Sequence, residues 1–285
     1  IGTRTNSGNI YQDYFSGLID DARIYNRALS DAEIQELYLE DSLSAGLVAH
    51  YPFEGNANDA SGNGNNGAEN GGITYATGVD GQAASFDGSS KVLASNPFGA
   101  SSSPIEITVS AWINTQTTKY RAGIVAQHAA CGGNGPNRFY MQIAGHSNDR
   151  NVWAHTYSGG NNIYVDSDSV DDGQWHHLVL KQDDTNVYLY VDNNLLGSTE
   201  YSLSGTVDPD INLSIGGFPI TSCSPHDNFE GLIDEVRIYN RSLSTTEIQQ
   251  LYTISAPTPN VAPTASITAS STTGRSPLTV TLGDL

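Results

Sequence analysis

One stretch of this chain occurs twice. Phe229–Tyr252 reads FEGLIDEVRIYNRSLSTTEIQQLY, and Phe15–Tyr38 reads FSGLIDDARIYNRALSDAEIQELY. Of the 24 aligned residues 17 are identical, and the displacement is 214 positions. The alignment continues upstream, with Ile1-Gly2 falling on Ile215-Gly216 without a gap. A period of this length is far too long for a solenoid unit and suits a whole β domain. Residues 1–40 therefore read as the C-terminal end of one domain, and residues 41–253 as a complete copy that ends in the same way.

The repeated stretch has a readable physics. Leu232, Val236 and Ile238 alternate with polar residues, as on a half-buried strand. Asn-Arg-Ser/Ala-Leu-Ser then turns the chain. Ser244 with Glu247, and Ser30 with Glu33, form capping boxes that open a short helix. Ile248, Leu251 and Tyr252 are spaced to lay one face of that helix on the domain body. The pattern predicts a terminal strand followed by a closing helix of one to two turns.

Between the two copies the chain is a series of short apolar runs separated by turn residues. Leu47–Phe53, Gln82–Phe86, Lys91–Ala94, Ile105–Ile113, Ile124–Gln127 and Leu213–Gly216 read as strands. Phe139–Ala144 with Val152–Tyr157, and Trp175–Gln182 with Asn186–Asp192, read as hairpins. Residues 55–72 form a long Asn/Gly loop. A dozen or so such strands predict an all-β fold, a two-sheet antiparallel sandwich or jelly roll. Residues 254–263, rich in Pro and Thr, read as an extended linker.

The net charge of −19 and the presence of only three lysines argue against nucleic acid, whose binding needs a basic surface. They also argue against anionic membranes. No run of about 18 apolar residues is present, so no transmembrane insertion is expected. Cys131 and Cys223 sit in Gly/Pro/Ser-containing loops without the spacing of a zinc site. They are expected to form a disulfide.

Several pieces, taken in order, resemble the laminin G-like jelly rolls of the concanavalin A-like lectin/glucanase superfamily. They are Leu47–Glu54 (LVAHYPFE), Ala84–Gly88 (ASFDG), Ile107–Ile113 (ITVSAWI), Asp172–Val179 (DGQWHHLV), Leu189–Asp192 (LYVD) and the GLIDEVRIYNR stretch. Residues 264–285, within NVAPTASITASSTTGRSPLTVTLGDL, resemble the first strands of a PKD domain, an immunoglobulin-like spacer. The resemblance implies a jelly roll with a short closing helix, between partial flanking domains, in an extracellular or cell-surface protein. It also implies a structural Ca2+ held between the loop after the first strand and an acidic residue of the last strand. The matching positions are Glu54, Asp59 and Asp234, with Asn63 and Asn66 able to add oxygen ligands.

Trp153, His155 and Tyr157 alternate with Val152, Ala154 and Thr156 and so share one sheet face, with Tyr140 and Gln142 beside them. Such a face either stacks a sugar ring or fills an aromatic core, and periodicity alone leaves both readings open. Arg138, Tyr120, Arg121, His128, His146 and Arg150 are loop candidates for ligand contact. Glycosidases of this fold need carboxylates on one face of one strand, at Glu-x-Asp-x-Glu spacing. Here the acidic clusters are adjacent pairs: Asp20-Asp21, Asp171-Asp172, Asp183-Asp184 and Asp234-Glu235. The expectation is a non-catalytic binding or adhesion module that meets a glycan or an extracellular protein and abuts neighbouring repeats. A carbohydrate-targeting module of a polysaccharide-degrading enzyme and a structural repeat of a fibre or stalk are the alternatives.

Overall fold

The computed structural model describes residues 3–5, 11–19, 22–99, 106–119, 121–128, 139–144, 151–156, 163–164, 170–200, 210–219 and 228–255. Cys131, Cys223, Arg138, Tyr157 and residues 256–285, with the expected disulfide and the PKD-like segment, lie outside them.

Two antiparallel sheets face each other. The smaller has seven strands, in the order β12 (Ile163–Tyr164), β11 (Asn151–Thr156), β10 (Phe139–Ala144), β9 (Arg121–Gln127), β16 (Leu213–Ile215), β7 (Lys91–Ala94) and β4 (Ala68–Asn70). The larger runs β15 (Asn194–Glu200), β14 (Asn186–Val191), β13 (Trp175–Gln182), β8 (Ile107–Asn114), β17 (Glu230–Tyr239), β6 (Gln82–Asp87) and β5 (Thr74–Thr77). β3 (Leu47–Tyr51) also pairs with β17. Alternate residues of both sheets, among them Val109, Ile113, Leu180, Ile233, Ile124, Met141, Val152 and Ile215, meet in one buried cluster between the layers. This is the jelly-roll sandwich that the spacing of short strands predicts.

The repeated stretch closes the domain. β17 lies inside the larger sheet, with β8 along one edge and β6 then β3 along the other. The helix α2 (Thr245–Ile254) opens on the capping box of Ser244 and Glu247. It lays Ile248 and Leu251 against Val179, Tyr190 and Tyr239 on the outer face of that sheet. Ser244→Ala removes the side-chain acceptor for the Glu247 amide and should cost about 1 kcal/mol. Thermal melts of the two proteins check this, with an expected drop of about 2–4 °C.

The structure departs from the sequence reading in five places. α2 is ten residues long, and its counterpart α1 (Asp31–Ser44) is fourteen, running past residue 40, where the first copy was expected to end. Residues 55–72 hold β4, and β5 follows directly after that loop. β15 follows Asp192-Asn193, whose φ values of 49° and 64° make the tight turn that twisted hairpins favour. In β17 the pairing with β8 slips between Asp234 and Arg237. That bulge puts Ile233, Val236 and Ile238 in the core, and Leu232 is only half-buried. The twin strand of residues 15–25 is absent: among the described residues, 15–19 and 22–25 belong to no strand. A two-stranded hairpin, β1 (Thr3–Thr5) with β2 (Tyr11–Tyr14), precedes them.

Candidate functional site

The five residues expected to hold calcium separate into two groups. Asp59 organises its own loop: its carboxylate accepts the His50 and Ser61 amides, each at 2.9 Å, and the Asn65 amide at 2.9 Å. Desolvation would raise its pKa, but those amides hold it below the ordinary range. Asn66 Oδ1 accepts the Asp59 amide, and Asn63 Nδ2 donates to the Leu47 carbonyl. These three side chains hold the loop together by hydrogen bonds.

Glu54 and Asp234 converge instead on one turn, residues 78–82, between β5 and β6. Glu54 Oε1 accepts the Gln82 amide at 3.0 Å. Asp234 Oδ2 accepts Val79 N at 2.8 Å and Asp80 N at 3.3 Å, while Oδ1 accepts the Glu235 amide at 2.8 Å. Both glycines of the turn are required. A Cβ on Gly81 would stand 1.9 Å from Glu54 Oε1, and one on Gly78 would stand 2.3 Å from Asp234 Oδ2.

Backbone strain aims both carboxylates. Phe53, fully buried, has φ 54°, and Glu235 has φ 49°. A non-glycine residue in this region costs on the order of 1–3 kcal/mol and persists only where its surroundings enforce it. Phe53 directs Glu54 to the turn. Glu235, at the bulge, sends two consecutive acidic side chains to different places. Glu235 itself meets His50 Nε2 at 3.1 Å and the Arg237 guanidinium at 2.5 Å. Burial opposes its ionisation, yet His50 and Arg237 hold its pKa below the ordinary range. Asp234 has no such cation among the described residues. It is fully buried, and burial, with the neighbouring Glu235 charge, pushes its pKa up to about 7.

Two carboxylates meet at a glycine-bounded turn whose Gly81 carbonyl accepts the Gly78 amide; carboxylate and backbone oxygens are the donors that a hard divalent cation takes. Bound there, the cation would neutralise a buried charge. Among the described residues no three His, Cys, Asp or Glu side chains gather as ligands, so backbone oxygens would have to complete such a site.

The second candidate region is the outer face of the smaller sheet. Phe139, Met141 and Ile143 of β10, and Val152 and Ala154 of β11, point into the core. Tyr140, Gln142, Trp153 and His155 therefore point away from it. In register, Tyr140 lies opposite His155 and Gln142 opposite Trp153. The Tyr140 and His155 rings stack at 4.6 Å and 19°. His128 and Phe218 close over Tyr140 edge-on, at 5.0 Å and 5.8 Å. Lys91 Nζ donates to the Phe218 carbonyl at 2.7 Å and fixes that residue in place. Burial, with the charges of His155 and Arg121, lowers the His128 pKa to about 4, so its imidazole is neutral.

These rings belong neither to the inter-sheet core nor to an open platform. Tyr140 and His155 are buried, whereas Trp153 is half-buried. Beside Trp153, Gln142 is 1% exposed, and its Nε2 has no hydrogen-bond partner among the described residues. Ser214 Oγ, on the Ala126 row of the same sheet, is likewise buried without a partner there. Buried amides and hydroxyls are nearly always bonded, and an unmatched one costs roughly 1–3 kcal/mol. The sequence placed Tyr140 and Gln142 beside Trp153 but gave no sign of Phe218, nor of the 78–82 turn. The acid-bearing Gly-Val-Asp-Gly of that turn was the available signal.

Two antiparallel sheets on one core, closed by a helix, define a jelly-roll sandwich. The laminin G model described as concanavalin A-like lectin/glucanases superfamily matches residues 86–249, more than half of the chain. The chain belongs to that superfamily. Among solved structures it is similar to domain 4 of AbnA, an extracellular arabinanase from Geobacillus stearothermophilus solved in complex with arabinotriose. The TM-score is 0.57 at 24% identity, over 72% of this chain and 98% of that one. It is also similar to the binding domain of Paraclostridial mosquitocidal protein 1, with TM-score 0.59, 16% identity and 74% of this chain covered. A third match is botulinum neurotoxin type C, described as entering cells through two ganglioside molecules, with TM-score 0.56, 12% identity and 75% covered. The match spans about half the length of those two toxin structures, 52% in each. A search of curated proteins found no match. No helix among the described residues is long and apolar enough to cross a membrane.

Proposed function

We propose that residues 41–253 form a non-catalytic, glycan-binding module of a secreted or cell-surface protein, stabilised by calcium at Glu54 and Asp234. The ligand lies on the outer face of the smaller sheet, its ring against Trp153 and a hydroxyl on Gln142. The observation that carries this reading is the buried Gln142 amide with an unmatched donor, next to a half-exposed indole. A sugar offers an apolar ring face to the indole and hydroxyl acceptors to the Gln142 amide once that side chain turns outward. The arabinotriose-bound arabinanase domain and the ganglioside-dependent toxin support it as fold relatives that meet carbohydrate. The arabinanase domain in particular favours a targeting role beside a polysaccharide-degrading enzyme over a purely structural repeat.

The acidic pairs support a non-catalytic reading. Asp183 caps the turn before β14 by accepting the Thr185 and Asn186 amides. Asp172 accepts the Gln174 amide and meets His176. Asp234 and Glu235 are split by the bulge.

A glycan array followed by calorimetry on the best hit tests the proposal. Trp153→Ala should weaken binding about tenfold, close to 1.4 kcal/mol, with little change in melting temperature. Gln142→Leu should weaken binding while leaving the fold intact or more stable. An array without hits, or affinity indifferent to both substitutions, overturns it.

A further inference from the structure

The described part of residues 15–25 has the sequence of a strand without a sheet. Leu18 is 99% exposed, Ile24 90%, Ile19 49% and Tyr25 43%. The residues 214 positions later have the opposite fate: Ile233, Ile238 and Tyr239 are fully buried in β17. Single exposed apolar side chains are ordinary, but a row of them in strand order marks an interface. The twin shows where such a row goes: Ile233 and Ile238 enter the core between the sheets and Tyr239 packs with α2, while β8 pairs along one edge of the strand and β6 with β3 along the other.

The capping box also recurs, with Ser30 and Glu33 opening α1. The far end of α1 is fastened to the downstream body. Arg241 donates to the Ser42 carbonyl at 2.6 Å and to the Ala45 carbonyl at 2.7 Å, and Leu43 packs with Leu251 of α2. Ile34, the counterpart of the buried Ile248, is 55% exposed. So α1 is docked at its end and bare where its twin is covered.

We infer that residues 15–38 are the last strand and closing helix of a preceding jelly-roll repeat in the same polypeptide. The strand fills the position of β17 in that repeat, and α1 serves both bodies, closing one and leading into β3 of the next. Successive repeats then abut through a helix. A second copy of the chain is the weaker occupant, because its own β17 already fills the slot and is covalently held there.

The test is a duplicated chain in which residues 41–214 are joined directly ahead of residue 1, which preserves the 214-residue spacing. Hydrogen exchange should show the amides of residues 16–25 slowed roughly 100-fold or more relative to the single chain, approaching those of β17. Adding Ile19→Asp and Ile24→Asp should restore fast exchange and unfold the upstream body alone. Fast exchange at residues 16–25 beside a folded upstream body overturns the inference.

If the upstream body does not fold, a second variant decides. The single chain carries Glu230→Ser, Glu235→Asp, Val236→Ala, Ser242→Ala, Thr245→Asp, Thr246→Ala and Gln250→Glu, which turn the second copy into the first. A cooperative melt supports the inference, and its loss overturns it. A concentration-dependent dimer of the unaltered chain, abolished by Ile19→Asp with Ile24→Asp, also overturns it in favour of exchange between chains.

Discussion

Removing calcium is expected to lower the thermal midpoint of the jelly roll by about 5–10 °C, and Asp234→Asn or Glu54→Gln to erase most of that difference. A ligand held only by the folded state at about 100 times its dissociation constant contributes about 2.7 kcal/mol. For a domain of this size each kcal/mol moves the midpoint by about 2–4 °C. The pH dependence of the metal-free protein adds a second signature. Folding raises the Asp234 pKa to about 7, so its contribution is fully present below the unfolded value near 4 and fades as pH rises through 7. Calcium therefore stabilises more at pH 8 than at pH 6. Equal midpoints with calcium and with chelator, at both pH values, would remove the cation from this site.

Between pH 6 and pH 4, in saturating calcium, the protein loses about 2–3 kcal/mol more stability than its His177→Gln variant. His177 is buried beneath α2, with its ring 5.0 Å from Trp112 and its Nε2 2.8 Å from Ser110 Oγ. Burial pushes its pKa down to about 3; the Asp192 charge opposes that shift and Arg237 reinforces it. A lowered histidine pKa means that the unfolded chain takes up the proton first. Stability is complete above the unfolded value near 6.5 and declines as pH falls toward 3, by up to 1.36 kcal/mol per pH unit. His176 works in the opposite sense, because the Asp192 hydrogen bond raises its pKa. Comparison with the variant isolates His177 from that opposing group and from Asp234, which both proteins share. Urea titrations at the two pH values supply the stabilities, and parallel losses in the two proteins would refute the role given to His177.

The local signals in the sequence were sound because they rest on local physics. Both capping boxes formed, since Ser and Glu three residues apart need only a helix start between them. The β10–β11 and β13–β14 hairpins formed where alternation placed them. The failures were decided by distant contacts. Asp59 in an Asn/Gly loop suits a cation or backbone amides equally well by sequence, and the amide of His50, nine residues before it, is a partner that spacing does not reveal. The bulge at Glu235 leaves no local mark, because glutamate does not advertise a positive φ. Alternation showed that Trp153 and His155 share a face, but both faces of this sheet carry rings and pattern cannot rank them. The two copies of GLI are the plainest case. The same letters make a central strand in one place and no strand in the other, because neighbours, not propensity, hold a strand.

The position of β17 also governs when this domain can be made. His50 of β3 and Glu235 of β17 touch across 185 residues of sequence, and β17 lies between β8 and the β6–β3 edge. A ribosome adding about 5–20 residues per second needs roughly 10–40 s to travel from β3 to β17. From the moment each emerges until β17 arrives, β3, β6 and β8 hold open edges with no centre strand. Such edges recruit whatever strand arrives first. In a tandem chain the first strand of matching sequence to emerge belongs to the repeat that needs it, so the order of synthesis itself guards each nascent sheet against its neighbour's strand.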